Sequence, residues 1–148
     1  MRKLILFVAV GLALVVGGCG DDDEATTGSG TTTTAEAGDP ATTLPISMTE
    51  FKFTPAHPEL ARGRVEITAT NKGKTAHELV LLKTKADASK LPKDGKEVSE
   101  KDSVGEIPET APGDDGVHTF DLKPGHYVMV CNLPGHYEAG MYGTLTVR

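Results

Sequence analysis

The sequence predicts an all-β fold, and its composition and patterning both support this. The 148 residues include 17 Gly and 9 Pro but no Trp, which favours short strands joined by turns over a helical bundle. From Leu44 onward, short runs in which apolar and polar residues alternate are separated by turn residues. Such alternation is typical of strands that are buried on one face. The chain has room for one domain of roughly 100 residues.

The N-terminal residues 1–18 have the pattern of a secretory signal. A basic start precedes an apolar run from Leu4 to Val16 and a pair of glycines. That run is shorter than the roughly 20 residues that a membrane-spanning helix needs. Cys19 follows directly, and the tetrapeptide Val-Gly-Gly-Cys resembles the lipobox of bacterial lipoproteins. The resemblance implies acylation of Cys19, which predicts an exported protein that is lipid-anchored to the cell membrane on its extracytoplasmic face. The alternative is an ordinary signal followed by a free thiol.

Residues 19–43 are expected to form a disordered tether between the lipidated cysteine and the domain at 44–148. They are rich in Asp, Thr, Gly and Ala, and they lack the large apolar side chains that would offset the entropy cost of ordering. The tether also carries most of the excess acid behind the net charge of −6. The folded part therefore offers no basic face, and we expect no nucleic-acid binding. We expect a monomer.

Individual strands can be assigned within the domain. Half-buried strands are predicted at 65–69, 119–122 and 144–147, where apolar and polar residues alternate. The run 79–82 is apolar on both faces and indicates an interior strand, and a turn at Pro124 and Gly125 leads into a strand that ends at Cys131. Residues 83–116 are polar and charged, which predicts an excursion between sandwich strands with one short helix near 86–91.

The segment from Cys131 to Met141 carries the clearest chemical pattern. It reads Cys-x4-His-x4-Met, with His136 at its centre, so three metal ligands of suitable type fall on one loop. Thiolate and thioether sulfur suit Cu(I), imidazole suits both copper oxidation states, and two His with one Cys and a weak axial Met define blue copper sites. The alternative is a buried Cys with a core Met and incidental histidines.

A blue copper site requires one further histidine, and His77 is the best candidate. It lies at the start of the predicted interior strand, where its side chain could be fixed beside one end of a sandwich. His57 is followed by a proline, His118 begins a strand with polar neighbours, and His126 lies on the strand face opposite Cys131. We expect these three to be surface histidines.

These residues together resemble the cupredoxin family, the small blue copper proteins that include plastocyanin, azurin and auracyanin. The resemblance covers about residues 44–148 and implies a Greek-key antiparallel β-sandwich. It also implies one copper ion bound by His77, Cys131, His136 and Met141. Many members carry Asn after the first His ligand, where it links the two ligand loops, but Glu78 stands there in this chain.

The resemblance implies an electron-transfer protein that works with redox partner proteins, and not an enzyme. Copper enzymes that resemble this fold use a histidine next to the copper cysteine, whereas Val130 and Asn132 flank Cys131. An apolar docking patch is expected around His136. Its predicted members are Leu133, Pro134, Tyr137, Ala139 and Tyr142. Two alternatives stay open: an extracytoplasmic copper carrier or storage protein, and a metal-free sandwich that acts as an interaction module.

Overall fold

Residues 42–148, described by a computed structural model, are built from β-strands and one 3-10 turn. The strands are β1 (Thr42–Thr49), β2 (Lys52–Thr54), β3 (Glu59–Leu60), β4 (Gly63–Asn71), β5 (His77–Lys83), β6 (Lys93–Asp94), β7 (Glu97–Val98), β8 (Ser103–Thr110), β9 (Asp115–Leu122), β10 (Gly125–Val130) and β11 (Tyr142–Val147). The predicted signal, the tether and Cys19 lie outside the described residues. Within 42–148, no helix has the length and apolar character needed to cross a membrane.

Two sheets form the sandwich, and the predicted all-β architecture is confirmed. One sheet has four strands in the order β2-β1-β4-β9, and the other has five in the order β3-β11-β10-β5-β8. Most neighbouring strands run antiparallel, but the β1–β4 and β3–β11 pairs run parallel. Because the order within each sheet departs from the order along the chain, distant segments become neighbours.

The main core lies between the two sheets and follows the predicted alternation. In β4, Val65, Ile67 and Ala69 are fully buried, while the residues between them are partly exposed. The facing sheet contributes the inward side chains of β5, β10 and β11. These are Leu79, Leu81, Tyr127, Met129, Leu145 and Val147. Apolar burial of this kind contributes roughly 25 cal/mol per Å² removed from water.

A second apolar cluster lies on the outer face of the five-stranded sheet, which explains why β5 is apolar on both faces. Val80 and Leu82 of β5 pack there with Val128 and Val130 of β10. The segment after β5 covers them. Its buried residues are Ala88, Leu91 and Val98. The prediction of an interior strand at 79–82 is therefore confirmed.

The segment 83–116 is only partly the loop that we predicted. The expected short helix is a single 3-10 turn at Ala88–Lys90, and β6 and β7 form a small hairpin after it. Treating the remainder as an excursion was wrong for 103–110, because β8 pairs with β5 as the edge strand of the five-stranded sheet. Within β8 only Ile107 and Thr110 are buried, so the strand has no clear apolar alternation.

Candidate metal centre

Strand register brings two distant parts of the chain together at one end of the sandwich. β5 begins at His77, and Val80 of β5 lies opposite Val130, the last residue of β10. Cys131 therefore follows β10 at the end of the sheet where β5 starts. A hydrogen bond of 3.1 Å from the Cys131 amide to the Met141 carbonyl closes the loop between β10 and β11.

The side chains of His77, Cys131 and His136 converge around a common point. The two Nδ1 atoms of the imidazoles lie 3.3 Å apart, and Cys131 Sγ lies 3.2 Å from His136 Nδ1. The three donor atoms all fall within 4.8 Å of one another. His77 and Cys131 are fully buried, whereas His136 is partly exposed. One thiol and two imidazole nitrogens brought this close fit a copper ion.

Met141 lies at the end of the same loop and is fully buried. Its amide donates a 3.0 Å hydrogen bond to the carbonyl of His136, which fixes the backbone between these two residues. Met141 and Cys131 both belong to the main core cluster. Burial at the end of the loop that carries Cys131 and His136 suits a weak thioether ligand, and the role of Met141 as the fourth ligand stays a prediction.

The other three histidines lie outside this group of donors. His57 is exposed and its Nδ1 lies 2.8 Å from Thr144 Oγ1. His118 is exposed and packs against the ring of Phe120. His126 is half-buried, with Nδ1 at 2.8 Å from the carbonyl of Thr84. His126 is therefore less exposed than we predicted, because the segment after β5 folds over its strand.

Burial shifts the pKa values of two of the converging side chains, His77 and Cys131. Burial lowers the pKa of His77, and the nearby His136 lowers it further, so the neutral imidazole that a metal needs is favoured. Burial raises the pKa of Cys131, against the opposing effect of the backbone amides of Glu78 and Leu133. The thiol proton must therefore be displaced when a metal binds.

Glu78 links the two ligand segments in place of the Asn that many cupredoxins carry. Its carboxylate accepts a 2.8 Å hydrogen bond from the amide of Asn132, and its own amide donates to Cys131 Sγ at 3.5 Å. Burial raises the pKa of Glu78, while the Asn132 amide opposes this shift. The departure from the family pattern thus preserves a link between the loops.

Asn71 is a buried structural residue whose full set of contacts is not evident from the sequence. Its side-chain amide donates to the carbonyls of Thr75 and Thr110, at 2.9 and 2.8 Å. Its side-chain oxygen accepts from the amide of Gly73 at 2.9 Å. These three bonds hold the segment that leads into His77. The Asn-x-Gly pattern was visible in the sequence, but its long-range partner Thr110 was not.

Phe51 is a second residue that the sequence did not indicate. Its ring makes an edge-to-face contact with His136, with centroids 5.3 Å apart and an interplanar angle of 81°. Its φ of 58° is unusual for a bulky residue, and such backbone conformations cost about 1–3 kcal/mol. An aromatic contact of this geometry contributes about 0.5–1.5 kcal/mol, so it offsets part of that cost.

The predicted docking patch around His136 requires one change. Pro134 and Ala139 are exposed, as expected. Tyr137, however, is only 7% exposed, because its hydroxyl accepts from the Leu91 amide and donates to the Ala88 carbonyl. Phe51 supplies the aromatic side chain beside His136 instead.

The fold and the converging donors define a copper protein, and comparison with known families agrees. Residues 40–148 match the model for copper binding proteins of the plastocyanin/azurin family. The match covers most of the chain. This chain therefore belongs to that family, and copper is its cofactor.

Several relatives are similar to this chain. Auracyanin-B from Chloroflexus aurantiacus is 56% identical over 36 residues, which are 24% of this chain and 15% of that protein. A structure of auracyanin B has a TM-score of 0.61 and 26% identity, covering 74% of this chain and 90% of its own. Reduced auracyanin from Roseiflexus castenholzii has a TM-score of 0.60 and 24% identity, with coverages of 74% and 98%, and it supports the fold alone.

Proposed function

We propose that this chain is a type 1 (blue) copper electron-transfer protein that passes single electrons between redox partner proteins. The observation that carries the proposal is the convergence of the His77, Cys131 and His136 donor atoms within 4.8 Å. Copper, when bound, supplies one-electron chemistry by cycling between Cu(I) and Cu(II). His77, Cys131 and His136 would hold the copper ion, and Met141 would be a fourth, weaker ligand.

Hydrogen bonds within the protein support a redox role because they fix the backbone segments that carry the ligands. The Met141 carbonyl holds the Cys131 backbone, and the Glu78 carboxylate holds the next residue, Asn132. Asn71 holds the approach to His77. Ligands supported in this way keep their positions when the charge of the metal changes. A carrier that delivers copper would be served better by exposed, mobile ligands.

Partial exposure of His136 supports a route for the electron. Of the four proposed ligands, His136 alone reaches the surface, while the other three are fully buried. Electrons therefore pass through the His136 edge to a partner that docks on the surrounding surface. Transient contacts between redox proteins are small, so the surface around Pro134 and Ala139 is adequate.

We infer that the protein has no enzymatic activity of its own. Val130 is buried in the second apolar cluster, and the Asn132 side chain is hydrogen-bonded to the backbone of Val98 and to the carboxylate of Glu100. Neither residue beside Cys131 offers an imidazole to a second metal. Four protein ligands also leave no open position for a substrate, unlike catalytic metal sites.

We also propose that the protein is exported and held at the extracytoplasmic face of the cell membrane through acylated Cys19, as a monomer. The lipobox-like sequence before Cys19 supports this placement. In cell fractionation, Cys19→Ala is expected to release the domain from membranes or to block its processing, because stable anchoring depends on the acyl chains. Membrane association that survives the substitution would contradict the anchor.

Titration of the purified apo protein with Cu(II) tests the copper function. An intense blue absorption band from the copper–thiolate bond is expected, saturating at one copper per chain. Repeated oxidation and reduction by a small redox protein should proceed without loss of copper. Rapid transfer of copper to a competing chelator, faster than electron exchange, would replace this proposal with the carrier function.

A further inference from the structure

The turn between β1 and β2 has an unusual sequence for its backbone. Thr49 pairs with Lys52, so Glu50 and Phe51 form a two-residue turn. Phe51 has a φ of 58° and, in the part of the chain that the structure describes, is the one residue other than glycine with positive φ. Turns of this kind usually place Gly or Asn at such positions. The Phe51 side chain is 42% exposed, so burial in the core does not account for an aromatic residue here.

Phe51 contacts the imidazole of His136 from one side. The edge-to-face contact has a centroid distance of 5.3 Å. The ring of His77 lies near His136 as well, with centroids 5.1 Å apart and an interplanar angle of 59°. The His136 ring is therefore restricted by a second aromatic contact besides that of its fellow ligand, and Phe51 covers part of it from solvent.

Glu50, the other residue of the turn, contacts the segment that leads into His77. Its carboxylate accepts a hydrogen bond from the amide of Lys74. That amide is the main cause that holds the pKa of Glu50 below its usual range, so the carboxylate is charged at neutral pH. Lys74 lies three residues before His77. The turn thus contacts the surroundings of both histidine ligands.

Gly73 leaves space between Glu50 and His77. A Cβ atom on Gly73 would lie 2.9 Å from a carboxylate oxygen of Glu50 and 2.9 Å from His77 Nε2. Among the described residues, His77 Nε2 is the buried side-chain polar atom without a hydrogen-bond partner. An imidazole that binds a metal through Nδ1 carries its proton on Nε2, and such protons are usually donated to a carboxylate, a carbonyl or a water.

We propose that the Glu50–Phe51 turn is a clamp that positions both imidazoles of the metal centre. Phe51 orients the His136 ring, and Glu50 accepts a hydrogen bond from His77 Nε2–H through one bridging water. The carboxylate thereby selects Nδ1 of His77 as the ligand atom and places a negative charge beside it. Both are positioning residues, and their role at copper rests on the function proposed above.

Substitution of Phe51 tests the first half of the clamp. Phe51→Gly removes the ring and suits the positive φ, so the fold is retained. In the apo protein, the rate of His136 acylation by diethyl pyrocarbonate, followed by peptide mass spectrometry, is expected to rise severalfold. Phe51→Tyr should restore the wild-type rate, and Val117→Ala, an exposed apolar position on β9, should not change it. In the copper-loaded protein, Phe51→Gly should also shift the reduction potential.

Substitution of Glu50 tests the second half. Glu50→Ala is expected to shift the apo His77 imidazole, observed by ¹⁵N NMR, away from the form protonated on Nε2. It should also speed hydrogen exchange of the Lys74 amide. Glu50→Gln keeps an acceptor but removes the charge, so it should retain the tautomer while raising the reduction potential of the copper protein. Gly73→Ala should alter the same His77 signals, because its Cβ would displace both groups.

The clamp is overturned if the His136 acylation rate in Phe51→Gly and the His77 ¹⁵N shifts in Glu50→Ala both equal those of the wild type. An unaltered reduction potential in all the copper-loaded variants would also overturn its role at the metal. The apo measurements need no copper. A wild-type protein that gives no blue band would therefore refute the proposed function while the acylation rates and ¹⁵N shifts still decide whether the clamp exists.

Discussion

The two sides of the metal centre are held in different ways. On one side, the loop 131–141 carries three of the proposed ligands, and hydrogen bonds within the loop hold its shape. On the other side, His77 depends on residues that are distant in sequence. Asn71 links its segment to Thr110, and Glu50 reaches it from the β1–β2 turn. One side is therefore local in sequence, while the other exists only once the sheets have assembled.

The largest effect is expected from a substitution in the loop 131–141, the side of the metal centre that is local in sequence. Cys131→Ser should abolish the blue band, because a hydroxyl is a poor copper ligand. The sandwich should remain folded, since Ser is similar in size to Cys. Absorption spectroscopy after addition of Cu(II), with circular dichroism of the same samples, measures both properties. His118→Ala, which removes an exposed histidine, is the control and should keep its colour. A blue Cys131→Ser protein would show that the ligand assignment is wrong.

The next largest effect is expected from a substitution on the His77 side of the metal centre, which depends on contacts between distant residues. Asn71→Ala removes three hydrogen bonds, which leaves the buried carbonyl of Thr110 unpaired and the carbonyl of Thr75 and the amide of Gly73 unpaired closer to the surface. Unpaired buried groups cost about 1–3 kcal/mol each, with partial relief from relaxation and water. We expect a loss of about 2–4 kcal/mol in the free energy of unfolding, measured by denaturant titration of the apo protein.

The control for Asn71 is Thr119→Ala, which changes an exposed side chain on β9 and should alter the free energy of unfolding by less than about 0.5 kcal/mol. Asn71→Ala should also weaken copper binding more than Thr119→Ala does, since the approach to His77 is loosened. Equal stability of the two variants would mean that the His77 side does not depend on Asn71.

A smaller effect is expected at Met141. Met141→Leu replaces the proposed axial thioether by an apolar side chain of similar volume, so the trigonal ligands should keep copper and the blue band. The reduction potential should rise, because a donor that favours Cu(II) is lost. Protein-film voltammetry measures the shift. Severe loss of Cu(I) from this variant would instead support the carrier function, in which Met141 is a holding ligand.

The smallest effect is expected at Glu78, which links the two sides of the metal centre. Glu78→Gln keeps an acceptor for the Asn132 amide but removes a negative charge close to Cys131. Loss of that charge disfavours the oxidised metal, so the reduction potential should rise by an amount on the order of tens of millivolts. Glu78→Leu, which removes the acceptor as well, should also reduce the free energy of unfolding. An unchanged potential in Glu78→Gln would show that the carboxylate acts only as a link.

The stability of Glu78→Gln should also differ from the wild type in its dependence on pH. Burial raises the pKa of Glu78 in the folded protein above its ordinary value of 4.5, so the folded state binds this proton more tightly than the unfolded state. The wild type should therefore lose stability as the pH rises through 4.5 and up to the raised pKa, relative to Glu78→Gln. Urea titrations of both apo proteins across this range measure the difference.

Sequence patterns predicted much of the fold because the relevant signals were periodic. The alternation in β4 and the two-faced apolar run in β5 correspond to buried residues in the structure. β8 was missed because only Ile107 and Thr110 are buried in it. Phe51 was missed because nothing in its neighbourhood in sequence indicates His136 as a partner. The contact depends on a turn that brings residue 51 over a loop far along the chain.

The sequence by itself determined the types of metal-donor side chain and the spacing of three of them. Cys131, His136 and Met141 share one short loop between two strands that the sequence pattern predicts. The sequence also determined the all-β class, since alternation reflects burial on one face. Only the tertiary structure decided how His77 meets that loop, which carboxylate links the loops, and which aromatic ring covers His136. Those contacts depend on sheet order and register, which local patterns do not encode, because the paired residues lie tens of positions apart in the chain.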